Sequence, residues 1–197
     1  MSTLSKYKSI SGRHEAIFRD RGSKFIAIAL PFTDKASLKP LLLALKKEHP
    51  KANHLCYAYA FDWKNPTYRA NDDGEPSGSA GLPILGQIKS HEVLDILIVV
   101  VRYFGGTKLG VSGLKNAYKS SANLVLEVIP SFFKRMAHLY HIRFPYDQTN
   151  YIDKICKQWA LDISEKEFNE QIDMKIQVPI HIEDEFVQLL QPFIVDN

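Results

Sequence analysis

Residues 71–121 read NDDGEPSGSAGLPILGQIKSHEVLDILIVVVRYFGGTKLGVSGLKNAYKSS and hold eight of the chain's ten glycines. A chain uses glycine where the backbone must take positive φ or approach another group closely. Between the two glycine clusters runs LDILIVVVRY, residues 94–103, apolar almost throughout and rich in β-branched residues, the pattern of a strand buried on both faces. The stretch therefore predicts a turn-rich loop, a short helix, a buried strand, a second glycine loop and a helix in succession. Such a concentration of special backbone marks sites more often than filler.

Upstream, GRHEAIF and KFIAIALPF are strand-like runs joined by residues 19–23, a hairpin signal. Asp34 is placed to cap a helix reaching Glu48, with Leu38, Leu41, Leu42 and Leu45 on one face. In ANHLCYAYAFD, residues 52–62, Leu55, Tyr57, Tyr59 and Phe61 alternate with His54, Cys56, Ala58 and Ala60. This predicts a strand whose small-residue face admits a close-packed helix. Its aromatic face suits a core, the alternative being a platform for stacked bases. A short strand over residues 67–70 follows. Ser77 or Ser79 can cap the short helix, and the helix after the buried strand spans Val111–Val128, ended by Pro130.

The remainder contains no glycine. It predicts a strand over 136–144, a helix capped by Asp147 with Tyr151, Ile152, Ile155 and Trp159 inward, strands near 161–168 and 171–178, a helix from Glu183 to Leu190 and a closing strand over 193–196. That βαββα order is most of a split βαβ unit. The fold class expected is α+β in two domains, 1–130 and 134–197.

The 197 residues carry a formal charge of +3 that is unevenly distributed. Residues 1–133 hold 18 Lys+Arg against 11 Asp+Glu, a balance of +7, whereas 134–197 hold 7 against 11, a balance of −4. A basic first domain suits a phosphate-rich partner; a solvated lysine-rich surface is the plainer alternative. No apolar run reaches the ~18 residues of a membrane span, and the first residues lack a signal-peptide core, so a cytoplasmic location and no membrane partner are expected. The two cysteines, Cys56 and Cys156, are too far apart to suggest a disulfide framework or a zinc site.

Two loops could carry chemistry. Around the second, Gly105 and Gly106 precede Lys108, with Arg102, Lys115 and Lys119 adding charge. GGTKLGVSG fits neither the Walker loop nor the dinucleotide fingerprint. It leaves an anion site at a helix start or a tight strand-to-helix turn. The first loop joins Asp72, Asp73 and Glu75 to Ser77 and Ser79. As an enzyme it would offer carboxylates and a serine nucleophile; as structure it is turn and cap chemistry. His54 and Cys56 could form a nucleophilic pair but share their strand face with alanines and read better as packing. The remaining histidines show no ligand spacing, so no metal and no cofactor are assigned.

DDGEPSGSAGLPIL followed by VVVRYFGGTKLGVSGL-x-x-AY, with GSKFIA at residues 22–27 and A-x-H-x-C-Y-A-Y at 52–59, resembles the IMPACT/YigZ family, of the bacterial two-domain type. Two positions depart from the family pattern: Ser112, where glycine is usual, and Asn116, where arginine is common. The resemblance implies a first domain like domain 2 of ribosomal protein S5 and a smaller ferredoxin-like second domain. It also implies a role in translation, since the eukaryotic relatives regulate a kinase that controls initiation. The expected function is a translation-associated binding protein whose basic domain contacts RNA, the ribosome or a translation factor through Arg102, Lys108, Lys115 and Lys119. The alternative is a small-molecule or phosphate-binding enzyme built where loops 72–81 and 104–113 converge, with Asp72, Asp73, Glu75 and Ser77 in the site.

Overall fold

A computed structural model describes residues 6–195. The chain divides into two compact units, Tyr7–Lys134 and a second that takes in the residues from Arg135 onward together with Lys6; both mix helices with sheet.

The first unit is built on an antiparallel sheet of order β2-β3-β6-β4-β5. Its strands are β2 (His14–Asp20), β3 (Ser23–Pro31), β4 (His54–Phe61), β5 (Thr67–Asn71) and β6 (Ile96–Tyr103). β2 and β3 form the expected hairpin, turning at Arg21 and Gly22, both at positive φ, as a two-residue turn between twisted strands requires. β6 lies at the centre, and Ile96 to Val101 are fully buried. The unbroken apolar run reflects cover on both faces of an antiparallel sheet.

The two faces differ in side-chain size, and the helices sort accordingly. α2 (Gly81–Ser90) and α3 (Gly110–Val128) pack Ile84, Ile88, Tyr118, Ala122 and Val125 on the face that carries Ala27, Ala29, Cys56, Ala58 and Ala60. Small residues there let helix and sheet approach closely. α1 (Leu38–Glu48) covers the opposite face, placing its leucines near Ile28, Tyr57, Tyr59, Leu97 and Val99. The aromatic side of β4 is therefore core. Asp34 accepts from the Ala36 N–H and caps a 3-10 turn, Lys35–Ser37, that leads into α1, so Pro40 falls in the first turn, where it is tolerated.

Two five-residue strands that the pattern did not reveal, β1 (Lys6–Ile10) and β7 (Ser131–Arg135), pair with each other. Buried Asp95 ties both down: its Oδ2 accepts from the Tyr7 hydroxyl at 2.6 Å and from Lys134 Nζ at 2.7 Å. The first unit thus runs beyond Pro130, the expected boundary.

In the second unit β8 (Ala137–Phe144), β10 (Ile172–Pro179) and β9 (Asp162–Phe168) form a three-stranded antiparallel sheet in that order. α4 (Thr149–Gln158) and α5 (Glu183–Leu190) contribute Ile152, Ile155, Phe186 and Leu190 to its core. Asp147 lies in a 3-10 turn and does not cap α4, and Tyr151 is exposed. The closing strand is reduced to one antiparallel bridge, Ile142 to Ile194, after a 3-10 turn over Gln191–Phe193; residue 196 lies outside the described residues.

Candidate functional site

The 71–80 loop is shaped by its own carboxylates. Asp72 accepts from the N–H groups of Gly78, Ala80 and Gly81, at 2.8, 3.0 and 2.8 Å. It thereby satisfies donors at the start of α2 that neither Ser77 nor Ser79 reaches, for α2 has no side-chain cap of its own. Partial burial pushes the Asp72 carboxyl up, but the three N–H bonds outweigh it and hold it below the usual carboxylate range. Asp73 Oδ2 accepts from the Leu55 N–H at 2.7 Å, and its carbonyl accepts from His54 Nδ1 at 2.7 Å. These bonds fasten the loop to the start of β4.

Held in this way, the loop turns Glu75 inward. Glu75 Oε1 accepts from Arg102 Nη1 at 2.6 Å and from the Tyr118 hydroxyl at 2.7 Å, and His54 Nε2 lies 4.0 Å away. Sheet register explains the meeting: Phe25, Arg102 and His54 lie directly opposite one another across β3, β6 and β4, so all three share a face. The Arg102 guanidinium lies 5.5 Å from the Phe25 ring centre and 5.6 Å from that of Phe104, a geometry favourable for a cation over aromatic faces. Its Nε is buried without a partner.

Cys56 completes the cluster. Its thiol lies 3.0 Å from the Asp72 carbonyl and 3.3 Å from the Tyr118 hydroxyl. Burial pushes the thiol up to about 12, with Tyr118 opposing and Glu75 adding to the shift. Cys56 is therefore protonated at neutral pH and is no nucleophile. Burial likewise raises Tyr118, reinforced by Cys56 and Glu75.

The structure separates the residues singled out in the sequence. Glu75 and Arg102, read as members of different sites, meet; Asp72 and Asp73 are engaged by backbone amides. Ser77 is exposed, while Ser79 is buried with its hydroxyl unpaired. Arg102 is 6% exposed and paired, so its guanidinium does not join the surface lysines as a phosphate contact. Lys108, Lys115 and Lys119 are exposed, as are Gly105 and Gly106. An added Cβ on Gly105 would overlap the Gly22 carbonyl carbon, so this glycine exists for close backbone approach. Tyr118 is not singled out by the sequence, because its hydroxyl's partner comes from a loop 43 residues upstream. Among the described residues, no group of three or more His, Cys, Asp or Glu could hold a metal ion, and no helix is long and apolar enough to cross a membrane.

The family model for the Impact N-terminal domain matches residues 21–126, the span that contains every member of the buried cluster. The chain belongs to the IMPACT family. The IMPACT family member YvyE of Bacillus subtilis is 31% identical over 168 residues, 85% of this chain and 76% of that protein. The IMPACT family member YigZ of Escherichia coli is 30% identical over 173 residues, 87% of this chain and 85% of its own. A crystal structure of a hypothetical protein overlays with a TM-score of 0.73 at 26% identity, covering 96% of this chain and 93% of the other. The mixed α/β fold of this IMPACT chain is thus shared with that solved structure along most of both chains.

Proposed function

We propose that this IMPACT-family chain is a translation-associated binding protein whose first unit contacts ribosomal RNA or a translation factor through Lys108, Lys115 and Lys119. One contrast carries the reading. The carboxylates of the candidate loop are engaged by hydrogen bonds within the fold and the Cys56 thiol of β4 beside it is buried, whereas these three lysines are exposed, and no ion pair among the described residues neutralises them. Residues 103–126 include the three lysines and no acidic residue. Lys115 and Lys119 stand one turn apart on one face of α3. Phosphate contacts of this kind give affinity with little sequence preference. The eukaryotic members' role in initiation, implied by the family resemblance, supports translation as the setting, and a cytoplasmic location goes with it. The same reading takes the first unit as S5 domain 2-like. It takes the second as ferredoxin-like, supported by the β8-β10-β9 order with Ile194 on the outer edge of β8.

The test is RNA binding across a salt series with Lys108, Lys115 and Lys119 all replaced by alanine. For single-stranded RNA the slope of log affinity against log salt should fall by about 2, since each phosphate contact contributes about 0.7. An unchanged affinity and slope would contradict the surface.

A second reading, a phosphate or small-molecule site at loops 72–81 and 104–113, is favoured by the unpartnered Nε of buried Arg102. It predicts saturable binding of inorganic phosphate that is lost in Arg102→Lys.

A further inference from the structure

On the sheet face opposite α2 and α3, the first unit has a cavity of about 440 Å³ between α1 and β4, within the range of small-molecule sites. Leu38 and Leu42 of α1 and Leu55 and Tyr57 of β4 supply apolar wall, and Lys39 and Lys46 stand on the same lining. Seven residues apart, the two lysines occupy one side of α1 about 10 Å from each other, with Leu42 between them. Both are exposed, and neither forms an ion pair among the described residues. The surrounding segment 34–51 holds five lysines against Asp34 and Glu48, and Glu48 is engaged by Arg13.

His49 lines the cavity, its Nδ1 lies 2.9 Å from the Tyr103 hydroxyl, and its Nε2 is buried with no hydrogen-bond partner. With so little of Nε2 exposed, the polar groups an occupant of the cavity can reach on this side are the two lysine ammonium groups. Asp73 also lines the cavity, with one oxygen committed to the Leu55 N–H. The chemistry requested is one polar head beside cations and an apolar body beside leucines.

We infer that this cavity binds a small organic carboxylate with an apolar body. Its chain lies on Leu42, Leu55 and Tyr57, and its carboxylate is held by Lys39 and Lys46 on one side of α1. At about 30 Å³ per water, the volume corresponds to roughly fifteen waters, room for a medium-chain acid. A docked peptide helix would instead ask for several apolar anchor sites along a groove, where the structure offers one cavity flanked by two lysines. The site is independent of the lysines assigned to RNA.

The test is an amide-resolved NMR titration of the full chain with octanoate, and with octyltrimethylammonium as the matched cation, both below micelle formation. Saturable shifts at Leu42, Leu55 and Tyr57 with octanoate are expected, with the cation at least tenfold weaker. Lys39→Glu with Lys46→Glu should raise the octanoate Kd at least tenfold while leaving the thermal midpoint within a few degrees, since both side chains are exposed. Shifts that fail to saturate, that map elsewhere, that are equal for the cation or that survive the charge reversal would overturn the inference. Binding of an acidic peptide helix without octanoate binding would do so too.

Discussion

Glu75 Oε1 sits 2.6 Å from Arg102 Nη1, and the two side chains are only 4% and 7% exposed. A carboxylate from the first glycine loop is thus the counterion of an arginine one residue before the end of the central strand. Two charges withdrawn from water hold loop and sheet together only as a pair, because either one alone would be left uncompensated in the interior. This makes the most polar part of the signature a structural joint.

Glu75→Gln should therefore destabilise the first unit by about 3–5 kcal/mol. Replacing both partners, Glu75→Leu with Arg102→Met, should cost clearly less than the two single changes combined. Urea unfolding of the wild type, Glu75→Leu, Arg102→Met and the double variant measures the coupling; additive losses would show that the pair does not act as a unit.

Asp72→Ala removes the acceptor of three N–H groups at the start of α2, and a lost cap costs about 0.5–2 kcal/mol. Because the folded carboxyl lies below its unfolded value, the contribution is fully present above about pH 4 to 5 and is lost as pH falls through the folded pKa. The stability gap between wild type and Asp72→Ala should be flat near neutrality and narrow in acid. A gap that widens in acid would reverse the assignment.

Native Cys56 should resist alkylation at pH 7 to 8, since burial pushes its thiol up to about 12. Cys156 is buried and raised as well. Mass spectrometry after iodoacetamide should find neither thiol modified until denaturant is added.

Two glycines of the 71–121 stretch should respond oppositely to alanine. Gly105→Ala drives a methyl into the Gly22 backbone and should destabilise by about 1–3 kcal/mol or more. Gly86 lies inside α2 with open space around its would-be Cβ, so Gly86→Ala should be neutral or stabilising by up to about 1 kcal/mol. Thermal midpoints of the two variants decide.

Local pattern was enough for much of this fold. The hairpin at Arg21–Gly22, the alternation of β4, the buried run of β6 and the leucine face of α1 each follow from spacing within one segment. What escaped depends on partners far apart in sequence. β1 and β7 are five residues each, too short for periodicity, and they pair across more than 120 residues. Asp72 caps a helix that begins nine residues later, where the nearer serines were the local candidates. Arg102 was read as a surface cation because charge usually is. A lone charge closing an otherwise buried strand was the available signal that a carboxylate must come to meet it, and Glu75 does.

Co-sedimentation of the purified protein with ribosomes, at low and at near-physiological salt and with a nuclease-treated control, tests the central claim most directly. The account predicts comigration that weakens steeply with salt and is lost in Lys108→Ala with Lys115→Ala and Lys119→Ala. Absence of comigration at both salts, or comigration untouched by removing the three lysines, would contradict it.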